Sequence, residues 1–224
     1  MQPLDLTVHT PPSVQSLSQG AQAPALQRSG RWKMLLVLLV CAAPVVASYF
    51  TYYVIRPEAR RNFGELIEPQ RAMPEGLMAT TLAGETVPLR SLQGQWLLIS
   101  TSPGACGAQC EQHLYLQRQL REALGRDKER LDWVWLIEDA ATPAPSLQPA
   151  LASAQVLHIP RVDLQSWLQP APHQQLQDHL YVVDPQGHWM LRFPAHLHAD
   201  SASQAKRDVA RLLRASSSWD QPGR

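Results

Sequence analysis

Residues 96–114 read WLLISTSPGACGAQCEQHL, and this stretch determines the predicted fold. It begins with a continuous apolar run at 96–99, which is typical of a strand buried on both faces. Turn-forming residues follow at 100–104. From about Gly107, leucines recur at helical spacing among polar residues. The stretch therefore predicts a strand, a short loop and a helix that begins near two cysteines, Cys106 and Cys110.

The two cysteines occupy a position that favours a thiolate. Cys106 falls at or just before the predicted helix N-terminus, where free backbone N–H groups and the helix dipole stabilise negative charge. Cys110 lies one turn later on the same face, and His113 lies nearly two turns later. Sulfur atoms at this spacing suit a disulfide, Cu(I), or Cu(II) completed by an imidazole. Two buried apolar cysteines are the simpler alternative.

Composition and cysteine usage exclude some classes of function. The 224-residue chain has 20 Lys and Arg against 19 Asp and Glu, a formal net charge of +1. Its soluble part has no basic run, so we expect no nucleic-acid partner. The third cysteine, Cys41, lies in an apolar segment, which leaves one close pair in the soluble part. A single close pair indicates a redox or metal site rather than a disulfide scaffold.

An uncharged apolar segment near the N-terminus predicts a membrane partner. Residues 34–55 read MLLVLLVCAAPVVASYFTYYVI and would form a helix of about 33 Å, enough to cross a hydrocarbon core of about 30 Å. Residues 1–30 are rich in Gln, Ser, Pro and Ala and predict a disordered tail. Basic residues are balanced across the span, so its orientation is inferred from the cysteine pair, which is easier to explain outside the reducing cytosol. We therefore expect a single-pass protein of a bacterial inner membrane, with a cytoplasmic tail and a periplasmic C-terminal part.

The rest of the chain predicts one α/β domain. Residues 56–74 are interpreted as a charged, amphipathic stalk, residues 75–215 as the domain, and residues 216–224 as a disordered tail. The predicted order within the domain is hairpin, strand, helix, strand, helix, strand, strand, helix. This is the thioredoxin arrangement, a central mixed sheet flanked by helices, with the cysteine pair at its first long helix.

Several motifs resemble the Sco/SenC branch of the thioredoxin-like proteins, over roughly residues 75–215. They are GETVPL at 84–89, LQGQW at 92–96, the three-residue spacing between the two cysteines, and LYVVDPQG at 180–187. The preceding membrane helix also fits this family. Sco/SenC proteins are membrane-anchored copper chaperones that help to assemble the dinuclear copper centre of cytochrome c oxidase.

The resemblance implies a copper site and a partner. Copper, as Cu(I) or Cu(II), would be held by Cys106, Cys110 and a histidine, with His179 as the first choice and His113 as the weaker alternative. The implied partner is the cytochrome c oxidase subunit that carries the dinuclear copper site. The sequence departs from the family at Gly107, where the family has proline after its first cysteine. His179 can also be interpreted as a strand histidine with satisfied hydrogen bonds.

Three functions remain open from the sequence. The first is a metallochaperone, which need not be an enzyme. The second is a thiol–disulfide oxidoreductase, in which Cys106 attacks a target disulfide and Cys110 resolves the mixed disulfide. The third is an assembly factor without metal, in which the two cysteines form a structural disulfide.

Overall fold

The structure is a computed structural model that describes residues 24–55, 62–195 and 197–220. The chain divides into two units, Met1–Ala59 and Arg60–Arg224, each of which is described by itself.

The N-terminal unit contains one long apolar helix among its described residues. Helix α1, Pro24–Phe50, continues into a π-helical turn, Thr51–Ile55. Its segment Gly30–Tyr53 is long and apolar enough to cross a membrane, in agreement with the predicted span. The helix begins earlier than predicted, so residues 24–30, expected to belong to a disordered tail, are helical. The rest of that tail, residues 1–23, lies outside the described residues.

The described part of the C-terminal unit forms one eight-stranded mixed sheet with helices on both faces. The predicted thioredoxin-like fold class is thereby confirmed. The strand order is β1-β8-β7-β4-β5-β6-β2-β3. The strands are β1 Glu65–Ala72, β2 Met78–Thr81, β3 Thr86–Pro88, β4 Trp96–Ser102, β5 Leu131–Ile137, β6 Gln155–His158, β7 Leu180–Val183 and β8 His188–Arg192, and the helices are α2 Ala108–Ala123, α3 Arg161–Gln165 and α4 Ala199–Ala215.

Strand β4 is the centre of the sheet and positions the cysteine pair. All seven of its residues are buried, and it pairs in parallel with β5 and antiparallel with β7. Its side chains alternate between the two faces, so Leu98 packs with Leu120 of α2 and Val209 of α4, while Leu97 and Ile99 belong to the core on the opposite face. The apolar run at 96–99 thus has the two-sided burial that the sequence predicted.

The segment predicted as a stalk is partly a strand of this sheet. Strand β1 pairs antiparallel with β8, with Glu65 opposite Arg192. The Arg192 guanidinium also forms an ion pair with the Glu65 carboxylate. The stalk interpretation is therefore wrong for residues 65–72, whose polar side chains and Pro69 are typical of an edge strand. The stalk residues 56–61 lie outside the described residues.

The predicted C-terminal tail is also partly folded onto the domain. The Asp220 carboxylate accepts hydrogen bonds from the buried Arg130 guanidinium, with an Nη2–Oδ2 distance of 2.7 Å. The indole N–H of Trp96 donates to Ser216 Oγ at 3.0 Å. Disorder is therefore contradicted for residues 216–220, because a buried charge pair holds them. Residues 221–224 lie outside the described residues.

Candidate functional site

The two cysteines lie where the chain leaves β4 and enters α2. Strand β4 ends at Ser102, a loop covers residues 103–107, and α2 begins at Ala108 with Gly107 as its N-cap residue. Cys106 therefore precedes the first helical residue by two positions, and Cys110 lies in the first turn. This is the placement that the sequence predicted, and it exposes the pair to the N-terminal end of the α2 dipole.

Cys106 and Cys110 form a disulfide, with a Cα–Cα distance of 5.3 Å. The two halves of the bond differ in access. Cys106 is partly exposed, whereas Cys110 is only 9% exposed and packs among Leu114, Trp133 and Trp135. Cys106 is therefore the more exposed residue of the pair.

A short chain of buried hydrogen bonds ends on the sulfur of Cys110. The indole Nε1–H of Trp135 donates to Ser102 Oγ at 2.8 Å. The Ser102 hydroxyl in turn donates to Cys110 Sγ at 3.1 Å. Residues 100–104 have turn-forming composition, but β4 extends through Ser102, so the predicted turn is wrong for residues 100–102 and does not reveal this contact. Serines at alternate positions after the apolar run are the signal that could have revealed it.

The loop that carries Cys106 is fixed by a close contact with the loop after β5. The backbone N–H of Gly104 donates to Asp139 Oδ1 at 2.9 Å, and the N–H of Ala141 donates to the same oxygen at 3.1 Å. A Cβ atom at Gly104 would lie 1.9 Å from the carbonyl oxygen of Ala141. Only glycine fits at this position without a shift of one loop, so the position of Cys106 depends on it.

Helix α2 is fixed to the sheet by a buried amide. Gln117 is fully buried, and its Nε2 donates to the carbonyl oxygens of Leu98 at 2.7 Å and Val134 at 3.1 Å. Its Oε1 accepts a hydrogen bond from the hydroxyl of Ser100 at 2.9 Å. These bonds join α2 to both β4 and β5, so the first turn of the helix has a defined position over the end of β4.

His179 lies immediately before β7 and is 1% exposed. Its Nδ1–H donates to the carbonyl oxygen of Phe193 at 2.8 Å, and its Nε2 accepts from the N–H of Ala171 at 3.1 Å. Burial is the main cause that lowers the pKa of His179. Both ring nitrogens of the neutral imidazole are thus used by the backbone. Metal binding through this ring would require one of these hydrogen bonds to break.

His113, the alternative ligand, is 3% exposed and belongs to the buried face of α2. Among the residues that the structure describes, no group of three or more His, Cys, Asp or Glu side chains is arranged to hold a metal ion. The described geometry therefore brings the two cysteines together and does not add either predicted histidine to them as a third ligand.

A cleft of about 270 Å³ adjoins the buried half of the disulfide. Gln109, one of its lining residues, donates from Nε2 to Asp178 Oδ1 at 3.2 Å, which links the first turn of α2 to the segment before β7. A polypeptide segment that lies along this cleft would be beside the cysteine pair. The cleft is lined by Ser102, Pro103, Ala105, Gly107, Ala108, Gln109, Cys110 and Gln177.

The fold and the site together define a class of protein. It is a thioredoxin-like domain with a Cys-x3-Cys disulfide at the start of α2, the first long helix that packs on the sheet. A family model described as "Transmembrane-like, thioredoxin-like, C-terminal domain" matches residues 96–216, more than half of the chain. The corresponding "Transmembrane-like, N-terminal domain" matches residues 24–54. The chain therefore belongs to the transmembrane-like, thioredoxin-like family. No curated protein matches it in sequence.

Solved structures with this fold include Sco proteins and thiol–disulfide exchange proteins. Copper-bound yeast Sco1 has a TM-score of 0.50 and 14% identity, over 66% of this chain and 90% of its own. Apo Sco1 from Thermus thermophilus has a TM-score of 0.49 and 17% identity, over 69% and 96% of the two chains. A thiol:disulfide interchange protein from Bacteroides sp. has a TM-score of 0.48 and 14% identity, over 65% of this chain and 90% of its own. At these identities the similarity to yeast Sco1 supports the fold alone.

Proposed function

We propose that this protein is a membrane-anchored thiol–disulfide oxidoreductase whose redox pair is Cys106 and Cys110. The observation that carries the proposal is the asymmetry of the disulfide, with Cys106 partly exposed before α2 and Cys110 buried against a hydroxyl donor. Exchange needs one sulfur that is open to attack and a second that leaves readily. The exposure of Cys106 supports the first requirement, and the Ser102 hydroxyl beside Cys110 supports the second. The His179 imidazole, the predicted third ligand of a copper site, instead forms hydrogen bonds with the backbone through both ring nitrogens.

The exchange proceeds in two balanced steps. A client thiolate attacks Cys106 Sγ, the bond between the two cysteines breaks, and Cys110 leaves with the electron pair as a thiolate. The second client thiolate then attacks the client sulfur of the mixed disulfide and releases Cys106 as a thiolate. The client dithiol is thereby oxidised to a disulfide, and the pair accepts two electrons. The reverse sequence reduces a client disulfide.

The location of the chemistry belongs to the same proposal. We place the N-terminus in the cytoplasm and the domain on the periplasmic side of a bacterial inner membrane, because a persistent disulfide is favoured outside the reducing cytosol. The clients would then be protein thiols on that side, and the copper-site cysteines of cytochrome c oxidase are one such client.

Trapping of the mixed disulfide tests this assignment of roles. The full-length protein is used in detergent, with Cys41→Ala removing the free cysteine in α1. In this background Cys110→Ser incubated with glutathione disulfide should accumulate a glutathione adduct on Cys106, because no neighbouring thiol can resolve it. The matched variant Cys106→Ser should react much more slowly, because Cys110 is buried. Equal rates, or faster reaction at Cys110, would contradict the proposed roles.

Copper delivery is the second candidate, and the juxtaposition of two soft sulfurs favours it. Once reduced, Cys106 and Cys110 fit Cu(I), which accepts two thiolate ligands. A site completed by an imidazole fits less well, because His179 uses both ring nitrogens. The recipient that the Sco/SenC resemblance suggests is the oxidase subunit with the dinuclear copper site.

A Cu(I) titration of the reduced protein against a competing chelator tests this candidate. One tightly bound equivalent of Cu(I) that is lost on Cys106→Ser or on Cys110→Ser would support copper delivery. We expect His179→Gln to retain this Cu(I) affinity, because the two thiolates suffice. An absence of competitive binding would eliminate copper delivery and leave disulfide exchange untouched.

A further inference from the structure

The chain of hydrogen bonds from Trp135 through Ser102 to Cys110 has a consequence for the chemistry of the disulfide. We propose that Ser102 is a positioning residue that acts through Cys110, stabilising it as the leaving thiolate when the disulfide opens and so raising the reduction potential of the pair. The inference rests on the proposed exchange function, and it assigns a role to a residue outside the Cys-x3-Cys motif.

The direction of the hydrogen bonds follows from the donors. An indole N–H can only donate, so Ser102 Oγ is the acceptor of the Trp135 hydrogen bond at 2.8 Å. With this lone pair occupied, the hydroxyl hydrogen of Ser102 points to Cys110 Sγ at 3.1 Å. All three groups are buried, with residue exposures of 0% for Trp135, 5% for Ser102 and 9% for Cys110. The donor is thus preorganised before the bond opens.

The contact is stronger in the product of bond opening than in the disulfide. A disulfide sulfur is a weak acceptor, whereas a thiolate carries a full negative charge, and hydrogen bonds to ionised groups are about twice as strong as neutral ones. A buried site of low polarity increases this difference. Ser102 therefore stabilises the open form more than the closed form, which favours reduction of the pair.

The same contact affects the rate of opening. When a client thiolate attacks Cys106 Sγ, the electron pair of the breaking bond moves to Cys110 Sγ. Negative charge develops there beside the Ser102 hydroxyl, and no proton transfer is needed. A leaving sulfur of lower basicity leaves faster, so the hydroxyl lowers the barrier to exchange.

The test compares three full-length variants in detergent, all in the Cys41→Ala background. Ser102→Ala removes the hydroxyl, Ser102→Thr retains it, and Thr101→Val is the control. Thr101 is the buried neighbour of Ser102 in β4, and its hydroxyl has no hydrogen-bond partner among the described residues. The equilibrium between disulfide and dithiol is measured in glutathione redox buffers, and the rate of opening is measured with dithiothreitol.

We expect Ser102→Ala to shift the equilibrium constant about tenfold towards the disulfide, equivalent to a potential about 30 mV more negative, and to slow opening several-fold. Ser102→Thr and Thr101→Val should stay close to the unsubstituted protein in both measurements. Unchanged values for Ser102→Ala, or an equal shift in Thr101→Val, would overturn the role of Ser102 and leave exchange standing. An unsubstituted pair that does not exchange at all would overturn the proposed function and this inference with it.

Discussion

Gly104→Ala should destabilise the loop that carries Cys106, although neither cysteine is changed. The added Cβ would lie 1.9 Å from the carbonyl oxygen of Ala141 and 2.6 Å from its carbonyl carbon, both rigid backbone atoms. One loop must move, and the 2.9 Å hydrogen bond from Gly104 N–H to Asp139 Oδ1 is then weakened or lost. Overpacking and the lost hydrogen bond together should lower the free energy of unfolding by about 2–4 kcal/mol.

Denaturant unfolding of the oxidised full-length protein, followed by tryptophan fluorescence, measures this loss. Gly107→Ala is the matched control, because Gly107 belongs to the same loop, has an ordinary φ of −87° and has open space around its Cβ position. Its cost should not exceed about 1 kcal/mol, the usual effect of a changed N-cap residue. If both variants lost the same free energy, the close contact between the two loops would not be what fixes the position of Cys106.

Three further results follow from the structure. Asp220→Ala should lower the free energy of unfolding by about 3–5 kcal/mol, because it removes the buried carboxylate that pairs with the Arg130 guanidinium. Asp127→Ala removes the exposed carboxylate partner of the same guanidinium and should cost less than about 1 kcal/mol in the same denaturation assay. Equal costs would contradict a dominant role of the buried pair. Burial lowers the pKa of His179, so the unfolded chain takes up a proton more readily than the folded one. This contribution to stability is complete above the ordinary histidine pKa of about 6.5 and is lost as the pH falls below it. The free energy of unfolding should therefore decline less steeply in acid for His179→Gln than for the unsubstituted protein. Equal slopes would contradict a lowered pKa of His179 in the folded protein. Retention of Cu(I) affinity by His179→Gln, as expected above, would separate a structural role of this ring from a ligand role.

Much of the fold is visible in the sequence because its central elements have strong periodic patterns. The β4 and β5 segments are apolar runs, α2 and α4 have leucines at helical spacing, and β7 and β8 flank a recognisable turn. Strand β1 was missed because its sequence, ELIEPQRA, is polar and contains proline, and only pairing with β8 makes it a strand. Residues 216–220 were missed because their burial depends on Arg130, far away in the chain.

The candidate site was predictable only where the chemistry is local. The spacing of Cys106 and Cys110 and their position before a helix are local features, and the structure places them as expected. The contact of Ser102 with Trp135 depends on the register between β4 and β5, which the sequence does not specify. The hydrogen bonds of His179 involve backbone groups from two other segments, so no motif reveals that its ring is occupied.

The reduction potential of the Cys106–Cys110 pair tests the proposed exchange most directly. Full-length Cys41→Ala protein in detergent is equilibrated in thiol–disulfide buffers, quenched with acid, alkylated and analysed by mass spectrometry, while tryptophan fluorescence reports whether it stays folded. We predict reversible two-electron behaviour in the folded protein, with a potential above about −300 mV, the region below which structural disulfides fall. A lower potential, or a bond that opens only when the domain unfolds, would show that the disulfide is structural and would contradict the proposed function.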